Sequence, residues 1–524
     1  MGVDLEHSSG SGIQAAISFL QSHPIYIFYA LCTFFVFRFL KNRYASPLRH
    51  YPGPFLASGT RVWKLWVTWQ THQETAFINL HKKYGPVVRV GPNELSFSRP
   101  TAAREILSAG KGFHKTAFYA VFPPPENPDI FTETREHVHA AKKRVAGTSY
   151  SMAAMQGMTD YIEDTIALLC TRLDGFAASA EQGGGAVDLG DWLHYFAFDV
   201  LGEVAFSKKW GFLEEGRDVE GCIRAIDKSQ QYNGTVGQLP ALDYLLRRNP
   251  VWRAWQAVYK GAQPLVTRIA LEEMRKRKSG EVKAERKDLL GQLLKMNEKD
   301  ADKFSEGDVF AVTHGAIFAG SDSTASSMQS FMHHILRDRR IYLKIVEEID
   351  EATRAGKLSP IVQFNEAQQL PYFQAALKEA MRVRPAVGLA MARSVPACGA
   401  EIDGGRYPGG IELNINAWAV HRDRETFGDD AEAFRPERWL EDEERARLMD
   451  RHMIQFGGGS HVCIGRNLAL LEMNKVLPTL LRDYAFELVH PEKDLDFHTY
   501  FFVVQKGLGV RISKRTWSEG GVDA

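Results

Sequence analysis

A long apolar segment between about Ser305 and Asp338 limits the choice of folds more than any other feature of the sequence. It predicts one unusually long helix, with Ser305 as its N-cap and Asp308 in its first turn. Because its middle is apolar nearly all round, we expect this helix to cross a core. Most of the remaining chain also predicts helix, and a short β section spans Gly85 to Ser98. The sequence therefore predicts a mainly α fold with small β-sheets.

Composition and charge narrow the class of protein. The chain has 524 residues, of which 44% are hydrophobic, so it has the material for a large core. Its length alone suggests about three or four domains, but no repeat and no clear linker divides it. The formal net charge is +0, so we expect no nucleic acid partner.

The cysteines form no CxxC pair and no zinc-type cluster, which is typical of free thiols in a reducing compartment. They are Cys32, Cys170, Cys222, Cys398 and Cys463.

An apolar run near the N-terminus, from Ile25 to Phe37, predicts a membrane helix. A cleaved signal peptide is the alternative, but basic residues follow the run and no small-residue cleavage site is present. We therefore expect an uncleaved anchor, with residues 1–45 as tail and transmembrane anchor and residues 46–524 as the body. Acidic residues precede the helix, whereas Lys41 and Arg43 follow it. The positive-inside rule then leaves the body in the cytosol.

A glycine-rich stretch near the C-terminus, FGGGSHVCIG from Phe456 to Gly465, carries one cysteine. A lone cysteine is commonly a small buried hydrophobe. Here the glycines let the backbone turn tightly around Cys463, and the positive end of a following helix favours a thiolate. The stretch matches neither a phosphate loop nor a dinucleotide fingerprint. The residues thus indicate a thiolate metal ligand and leave the identity of the metal open.

The same stretch is similar to the haem-binding loop of the cytochrome P450 family, whose pattern is FxxGx[RH]xCxG. Phe456, Gly459, His461, Cys463 and Gly465 meet that pattern. The resemblance covers nearly all of the chain after the anchor, and it points particularly to membrane-bound fungal members akin to pisatin demethylase. It implies the cytochrome P450 fold, a single large haem domain in which Cys463 is the axial ligand of the iron of haem b.

A second motif of that family involves two arginines and one glutamate. The segment KEAMRVRP holds Glu379 and Arg382 at the ExxR spacing, and FRPERW provides Arg438. Alone, an ExxR pair is common surface decoration. Beside the haem-binding loop, the resemblance implies a buried structural network of Glu379 with both arginines. Arginine suits this role because its planar fork can bind a carboxylate through two hydrogen bonds.

A third motif, AGSDST from Ala319 to Thr324, lies in the long helix and resembles the oxygen-binding pattern [AG]GxD[TS][TS]. The resemblance implies that Asp322, Ser323 and Thr324 are catalytic residues that deliver protons. A polar patch on a helix is the alternative. The family usually has threonine where this chain has Ser323. Serine keeps the hydroxyl but lacks the methyl group that restricts χ1, so we expect the hydroxyl to be held less firmly.

Several cations match the family's partners for the haem propionates. His139 and Lys143 stand at the [WH]xxx[RK] positions of a helix at the haem edge, and Arg393 and His461 are two further candidates. A cation suits a propionate because the hydrogen bond is charge-assisted. The alternative for the lysine-rich part is a solvated basic face.

The resemblance also implies a substrate pocket. Apolar segments from Lys115 to Phe131, from Ala386 to Met391 and from Thr499 to Val504 should line it. We expect a lipophilic substrate, such as an aromatic, polyketide or terpenoid compound. Ordinary core packing is the alternative for each single residue. The candidate pocket residues are Phe318, Ala386, Val387, Leu389 and Phe501.

The implied activity is that of a haem-thiolate monooxygenase, which uses O2 and reductase-delivered electrons to hydroxylate or otherwise oxidise a lipophilic small molecule. Secondary-metabolite biosynthesis or detoxification is the expected setting. With an anchor and no flavin domain, electrons should come from NADPH-cytochrome P450 reductase on the same membrane, the endoplasmic reticulum. Lys142 and Arg466 are candidates for its docking face.

Three other classes of protein are alternatives to a monooxygenase. A non-enzymatic haem protein that senses or carries a gas would also use a cysteine ligand, but it would not need Asp322, Ser323 and Thr324. A haem-thiolate isomerase or dehydratase needs no external electrons, and the serine at position 323 is compatible with it. A membrane-tethered structural protein would bind no haem.

Overall fold

The computed structural model describes residues 24–122, 127–181, 185–259, 264–282, 287–518 and 521–523. Its helices are α1 (Pro24–Tyr44), α2 (Phe55–Gly59), α3 (Val62–Trp69), α4 (Gln73–Tyr84), α5 (Pro100–Leu107), α6 (Glu136–Ala146), α7 (Met152–Gln156), α8 (Thr159–Glu181), α9 (Leu189–Phe206), α10 (Phe212–Glu215), α11 (Cys222–Val236), α12 (Ala241–Leu245), α13 (Pro250–Tyr259), α14 (Leu265–Lys278), α15 (Leu289–Lys299), α16 (Glu306–Ala319), α17 (Asp322–Arg337), α18 (Arg339–Arg354), α19 (Phe364–Ala367), α20 (Pro371–Val383), α21 (Ala417–Val420), α22 (Arg424–Phe427), α23 (Glu443–His452) and α24 (Arg466–Asp483).

The strands are short. They are β1 (Val87–Gly91), β2 (Glu94–Phe97), β3 (His114–Lys115), β4 (Val187–Asp188), β5 (Met391–Ser394), β6 (Ala400–Ile402), β7 (Gly405–Tyr407), β8 (Glu412–Ile415), β9 (Tyr484–Leu488), β10 (Asp496–Thr499), β11 (Val503–Lys506), β12 (Gly509–Lys514), β13 (Thr516–Ser518) and β14 (Gly521–Asp523). The mainly α fold with small sheets is therefore confirmed.

Within the described residues, the strands form five sheets. The largest has the strand order β1-β2-β8-β5-β3, in which β2 and β8 run parallel and the other neighbours antiparallel. Its first two strands confirm the β section predicted between Gly85 and Ser98. The remaining sheets have the orders β4-β12-β9, β10-β11, β6-β7 and β13-β14. In the largest sheet, Lys115 on β3 is paired with Arg393 on β5, which brings two cations to one edge.

The long apolar segment begins as predicted. Ser305 Oγ accepts a hydrogen bond from the Asp308 N–H, and the Asp308 carboxylate accepts one from the Ser305 N–H, so a capping box starts α16. The prediction that the segment crosses the core is also confirmed. In α17, Met328, Phe331 and Met332 are fully buried in the main hydrophobic cluster, which they share with α8, α9, α18, α20 and α24.

The prediction of one continuous helix is wrong, because α16 and α17 are separated at Gly320 and Ser321. Ser323 Oγ donates to the Ala319 carbonyl at 2.9 Å, and Thr324 Oγ1 donates to the Gly320 carbonyl at 3.1 Å. These hydroxyls compete for carbonyls that helical N–H groups otherwise bind, which bends helices. Glycine also fits here because a Cβ at position 320 would lie 2.9 Å from Leu201 Cδ1 on α9.

Helix α1 is long and apolar enough to cross a membrane over Ile25–Tyr44, and none of this span is buried. Its C-terminal end touches the body. The Arg89 side chain donates to the Asn42 carbonyl at 2.7 Å, and a Cβ on Gly59 would meet the Phe39 ring. Residues 1–23 lie outside the described part of the chain. The division into an anchor of residues 1–45 and a body of residues 46–524 therefore stays a prediction.

The buried carboxylate of Glu379 on α20 is surrounded by hydrogen-bond donors. Arg382 donates Nε and Nη2 to its two oxygens, each at 2.8 Å. Arg438 Nε and the Arg435 N–H donate to Oε1 at 2.9 Å, and Trp439 Nε1 donates to Oε2 at 2.9 Å. Burial alone would raise the pKa of Glu379, but Arg382 and Arg438 lower it. The predicted contacts are present, and Trp439 adds a donor that the sequence reasoning missed.

We expect Glu379→Gln to lower the free energy of unfolding by about 3–5 kcal/mol, because it leaves the buried Arg382 guanidinium without a counter-charge and removes one of the two carboxylates that pair with Arg438. Denaturant unfolding measures this change. Glu443→Gln is the matched control, since Glu443 pairs with Arg447 on the surface, where such a pair contributes about 0–1 kcal/mol. Equal effects of the two substitutions would contradict a structural role for the network.

Candidate active site

A cavity of about 300 Å³ lies where the break between α16 and α17 faces the start of α24. The stretch from Phe456 to Gly465 forms one wall, and Ser323 and Thr324 stand on the wall opposite. Helix α6 and strand β5 close one side. The cavity therefore collects most of the segments that the sequence analysis selected.

Tight backbone turns place Cys463 on the cavity wall. The Cys463 N–H donates to the Phe456 carbonyl at 2.8 Å, which closes the stretch into a loop. Gly459 has a φ of 56°, and a Cβ there would lie 2.0 Å from the Leu107 carbonyl oxygen, so only glycine fits. Gly465 is the N-cap residue of α24. Phe456, Cys463 and Gly465 all line the cavity.

The Cys463 thiol is exposed to the cavity but lies deep among protein atoms. Burial raises its pKa, whereas the N–H groups of Gly465 and Arg466 and the charge of Lys143 lower it less strongly. The end of α24 alone therefore does not produce the thiolate that we expected from the sequence. A bound metal cation would, because a coordinated thiol loses its proton.

The loop is tied to the Glu379 network through one histidine. Arg382 Nη1 donates to the His421 carbonyl at 2.8 Å. Burial and the charge of Arg382 lower the pKa of His421 to about 3, so its ring is neutral. Its Nε2 accepts a hydrogen bond from the Ile454 N–H at 2.9 Å, and the Ile454 carbonyl accepts one from the Gly457 N–H at 2.8 Å. A chain of hydrogen bonds thus joins Glu379 to the Cys463 loop.

His139 and His461 stack on one another at the side of the cavity, with ring centroids 4.2 Å apart. Burial, and to a smaller extent the charge of Lys115, lowers the pKa of His139 to about 3 and that of His461 to about 2. Nδ1 of each ring is buried without a hydrogen-bond partner among the described residues. His461 Nε2 lies 3.0 Å from the Glu136 carboxylate. Both rings therefore lie in a region with an excess of positive charge.

Three basic side chains, Lys143, Arg393 and Lys115, lie on this side, and burial lowers the pKa of Lys115 to about 7. Lys143 Nζ donates to the Ser460 carbonyl at 2.8 Å and also to the Val462 carbonyl. Arg393 Nη1 donates to Tyr119 Oη at 2.7 Å. Lys115, which the sequence reasoning missed as a charged lining residue, is buried beside them. A group with two carboxylates next to a metal fits here, because its charge would neutralise the cations and its oxygens would meet the unpaired Nδ1 atoms.

The three candidate catalytic residues are placed differently. Ser323 and Thr324 line the cavity. Asp322 is buried but is not among the described residues that line it. Its Oδ1 accepts from His194 Nε2 at 2.8 Å, and its Oδ2 accepts from Gln230 Nε2 at 2.5 Å. The role of Asp322 stays a prediction, and its carboxylate is held away from the cavity by two partners.

Those two partners were not found from the sequence. His194 lies on α9 with 14% of its side chain exposed, and Gln230 on α11 is fully buried. Gln230 Oε1 also accepts from the Phe502 N–H at 2.9 Å, which links Asp322 to the cavity wall. Neither residue belongs to a motif, and both are far from Asp322 along the chain, so no sequence signal pointed to them.

All five candidate pocket residues line the cavity: Phe318, Ala386, Val387, Leu389 and Phe501. Asp129, which lies in the segment predicted from Lys115 to Phe131, also lines it, and so does His314, which was not selected from the sequence. The interpretation of Lys142 as a docking residue needs correction. Its side chain is buried, donates to the Pro128 carbonyl and pairs with Asp308 at 2.9 Å. Arg466 is exposed, with its guanidinium over the Phe456 ring.

The contact between His194 and Asp322 predicts a pH-dependent stability. Burial alone would lower the pKa of His194, but Asp322 raises it above the ordinary value of 6.5. The stabilisation is therefore fully present below pH 6.5 and is lost as pH rises through the raised pKa. We expect His194→Gln to lower the free energy of unfolding by about 2 kcal/mol at pH 6 and by less at pH 8.5.

Unfolding of both proteins at the two pH values measures this difference. His490→Gln is the control, because His490 is largely exposed beside Glu492. A loss of stability that is the same at both pH values, or larger at pH 8.5, would rule out a protonated His194 in the folded protein.

Comparisons with known proteins agree over most of the chain. Residues 52–510 match the family model described as Cytochrome P450. The chain is 35% identical over 494 residues to the cytochrome P450 monooxygenase cicH of Emericella nidulans, covering 93% of this chain and 98% of the relative. It is 33% identical over 496 residues to the monooxygenase gsfF of Penicillium aethiopicum, covering 91% and 95%. It is 33% identical over 488 residues to the monooxygenase mfmA of Annulohypoxylon moriforme, covering 89% of this chain and 92% of the relative.

The family implies a haem iron cofactor, dioxygen, a reductase as redox partner and a small-molecule substrate. The cavity fits such a cofactor, since it joins a thiol on one wall to a cluster of cations at its side. The match along the chain and the relatives of similar length show that the chain belongs to the cytochrome P450 family and is a haem-thiolate monooxygenase.

Proposed function

We propose that the enzyme holds haem b through Cys463 and oxidises a lipophilic small molecule in secondary-metabolite biosynthesis or detoxification. The supporting observation is the position of one thiol. Of the five cysteines, all within the part of the chain that the structure describes, Cys463 alone lines the cavity. When bound, haem iron with a thiolate ligand supplies the activation of dioxygen by which one oxygen atom enters the substrate.

The cations at the side of the cavity are proposed to bind the two propionates. His139, Lys143, Arg393 and His461 were selected from the sequence, and Lys115 joins them through its position on β3. The lowered pKa values of both histidines support this assignment, because after burial their main causes are the neighbouring basic side chains Lys115, Lys143 and Arg393. A carboxylate placed there would raise both pKa values and pair with the protonated rings.

We assign the hydroxyls of Ser323 and Thr324 to proton delivery. Both residues line the cavity, and each hydroxyl donates to a helix carbonyl at the break. Each oxygen keeps a lone pair that can accept a hydrogen bond from a donor in the cavity. Asp322 is proposed to act from behind this break, where His194 supplies a side chain that gains and loses protons.

Attachment to the endoplasmic reticulum membrane, with the body in the cytosol, is proposed from two apolar surfaces. The first is α1. The second is a set of exposed apolar side chains on α2 and α3, and on α12 and α13. The helix α3 packs against α11, which precedes α12 in the chain. The members of this set are Phe55, Leu56, Val62, Trp66, Trp69, Tyr244, Leu245, Val251, Trp252 and Trp255. Tryptophan and tyrosine are frequent at membrane interfaces.

Alkaline extraction of membranes tests the anchor. We expect the full chain to remain in the membrane pellet and a chain lacking residues 1–45 to be released, because a membrane-spanning helix resists extraction. Protease added outside sealed vesicles should degrade the body if it faces the cytosol. Release of the full chain by alkali, or protection of the body, would contradict the proposed attachment or orientation.

Electron supply is proposed to come from NADPH-cytochrome P450 reductase in the same membrane. Arg466 supports a docking face on the outer side of the Cys463 loop, because it is exposed next to the ligand residue. Reduction by NADPH and this reductase under carbon monoxide should give the same spectrum as chemical reduction. A spectrum that forms only with the chemical reductant would refute this partner.

The role of Cys463 is tested by Cys463→Ser. We expect the wild-type protein, reduced under carbon monoxide, to give the red-shifted Soret band of thiolate ligation, and the variant to lose it. Cys222→Ser is the matched control, because Cys222 is buried away from the cavity and its substitution should leave the band unchanged. An unchanged band in Cys463→Ser would refute the assignment.

A further inference from the structure

One end of the cavity has a wall of aromatic rings. Phe122 lies at its centre, with ring centroids 5.3 Å from Phe131, 5.4 Å from Phe501 and 6.4 Å from Phe318. All these pairs are edge-to-face, and Tyr119 adds another such contact with Phe131 at 5.2 Å. Rings in this arrangement present flat apolar surfaces and edges to a guest. This wall is suited to a flat, largely apolar molecule.

A histidine on the helix that carries Phe318 lines the same cavity. His314 on α16 is 2% exposed and lines the cavity. Its Nδ1 is buried and has no hydrogen-bond partner in the described part of the chain. Burial lowers the pKa of His314 to about 4, so the ring is neutral near pH 7. A neutral imidazole has one N–H donor and one acceptor nitrogen.

A carboxylate lies beside the same turn of α16. Asp129 is 7% exposed and lines the cavity. Its Oδ1 accepts from the Thr132 N–H at 2.7 Å and from Thr132 Oγ1 at 2.8 Å. A Cβ placed on Gly315, the residue after His314, would lie 2.6 Å from Asp129 Oδ2. The second carboxyl oxygen is therefore held against the backbone of α16 at the residue that follows His314.

The charge of the surroundings restricts what can pair with these groups. Burial raises the pKa of Asp129, so its carboxyl group does not supply a fixed negative charge. A charged group on a ligand would lose its hydration against the largely apolar walls of the cavity. A neutral hydroxyl avoids this cost, and because it both donates and accepts, it can pair with His314 and with either form of the Asp129 carboxyl group.

We propose that the cavity selects a flat aromatic substrate with a hydroxyl group, and that His314 and Asp129 are the specificity-determining residues that bind this hydroxyl. This inference rests on the proposed function. A buried polar group that stays unpaired in the complex is costly. A site built to hydrogen-bond a hydroxyl therefore discriminates against the analogue that lacks the donor.

Matched phenols and methyl ethers test this inference on the full-length haem-loaded protein. The probes are 1-naphthol and 9-phenanthrol, each with its methyl ether, and calorimetry and the haem absorption shift give their dissociation constants. We expect each phenol to bind about tenfold more tightly than its ether, which corresponds to one buried hydrogen bond. His314→Phe should reduce this ratio to about one and leave the ether within about threefold of wild type.

Two further variants separate recognition from a change of shape. Asp129→Asn keeps an oxygen for Thr132 but replaces the second carboxyl oxygen with an amide nitrogen that cannot accept a hydrogen bond, and it should lower the ratio without weakening the ethers. Val312→Ala is the control, because Val312 lines the cavity from the same helix and is apolar. It should weaken a phenol and its ether alike.

Equal affinities of phenol and ether in the wild type would overturn the proposal, and so would a ratio that neither His314→Phe nor Asp129→Asn changes. Failure of all four probes to bind to a protein that still gives the thiolate carbon monoxide band would also overturn it, while leaving the proposed function intact. Loss of that band in the wild type would instead contradict the proposed function.

Discussion

The buried carboxylate of Glu379 is the interaction on which the site depends. It holds Arg382, Arg438 and Trp439 in fixed positions, and Arg382 in turn donates a hydrogen bond to the His421 carbonyl. His421 then fixes the backbone at the start of the Cys463 loop. Removing one member of such a network leaves an unpaired charge where water cannot reach it. The position of the Cys463 thiol thus depends on an ionic network centred on Glu379 of α20, a helix that is distant from Cys463 in the sequence.

The cavity brings together three chemically different walls. A thiol stands on one, hydroxyls from the break in the long helix on another, and cations at the side. Burial and then the neighbouring basic side chains lower the pKa values of His139 and His461, so a negatively charged group would be favoured there. The membership of the chain in the cytochrome P450 family accounts for this combination, and it favours a monooxygenase over a gas carrier, an isomerase or a structural protein.

Sequence reasoning succeeded where local chemistry decides the structure. The cap at Ser305, the Glu379 contacts and all five apolar pocket residues could be predicted from short patterns. It failed where distant partners decide. The long helix breaks because side-chain hydroxyls take its carbonyls, and Asp322 turns away because His194 and Gln230, 128 and 92 positions distant, bind it. Lys142 is buried because Asp308 pairs with it, and no pattern near Lys142 contains that partner.

The central claim is that one haem lies between Cys463 and the helix break, with its propionates against the cations. A crystal structure of the haem-loaded protein tests it most directly. We expect iron bonded to the Cys463 sulfur and both propionates in contact with His139, Lys143, Arg393 and His461. Iron bonded to a different side chain, or propionates turned towards the aromatic wall, would contradict the account.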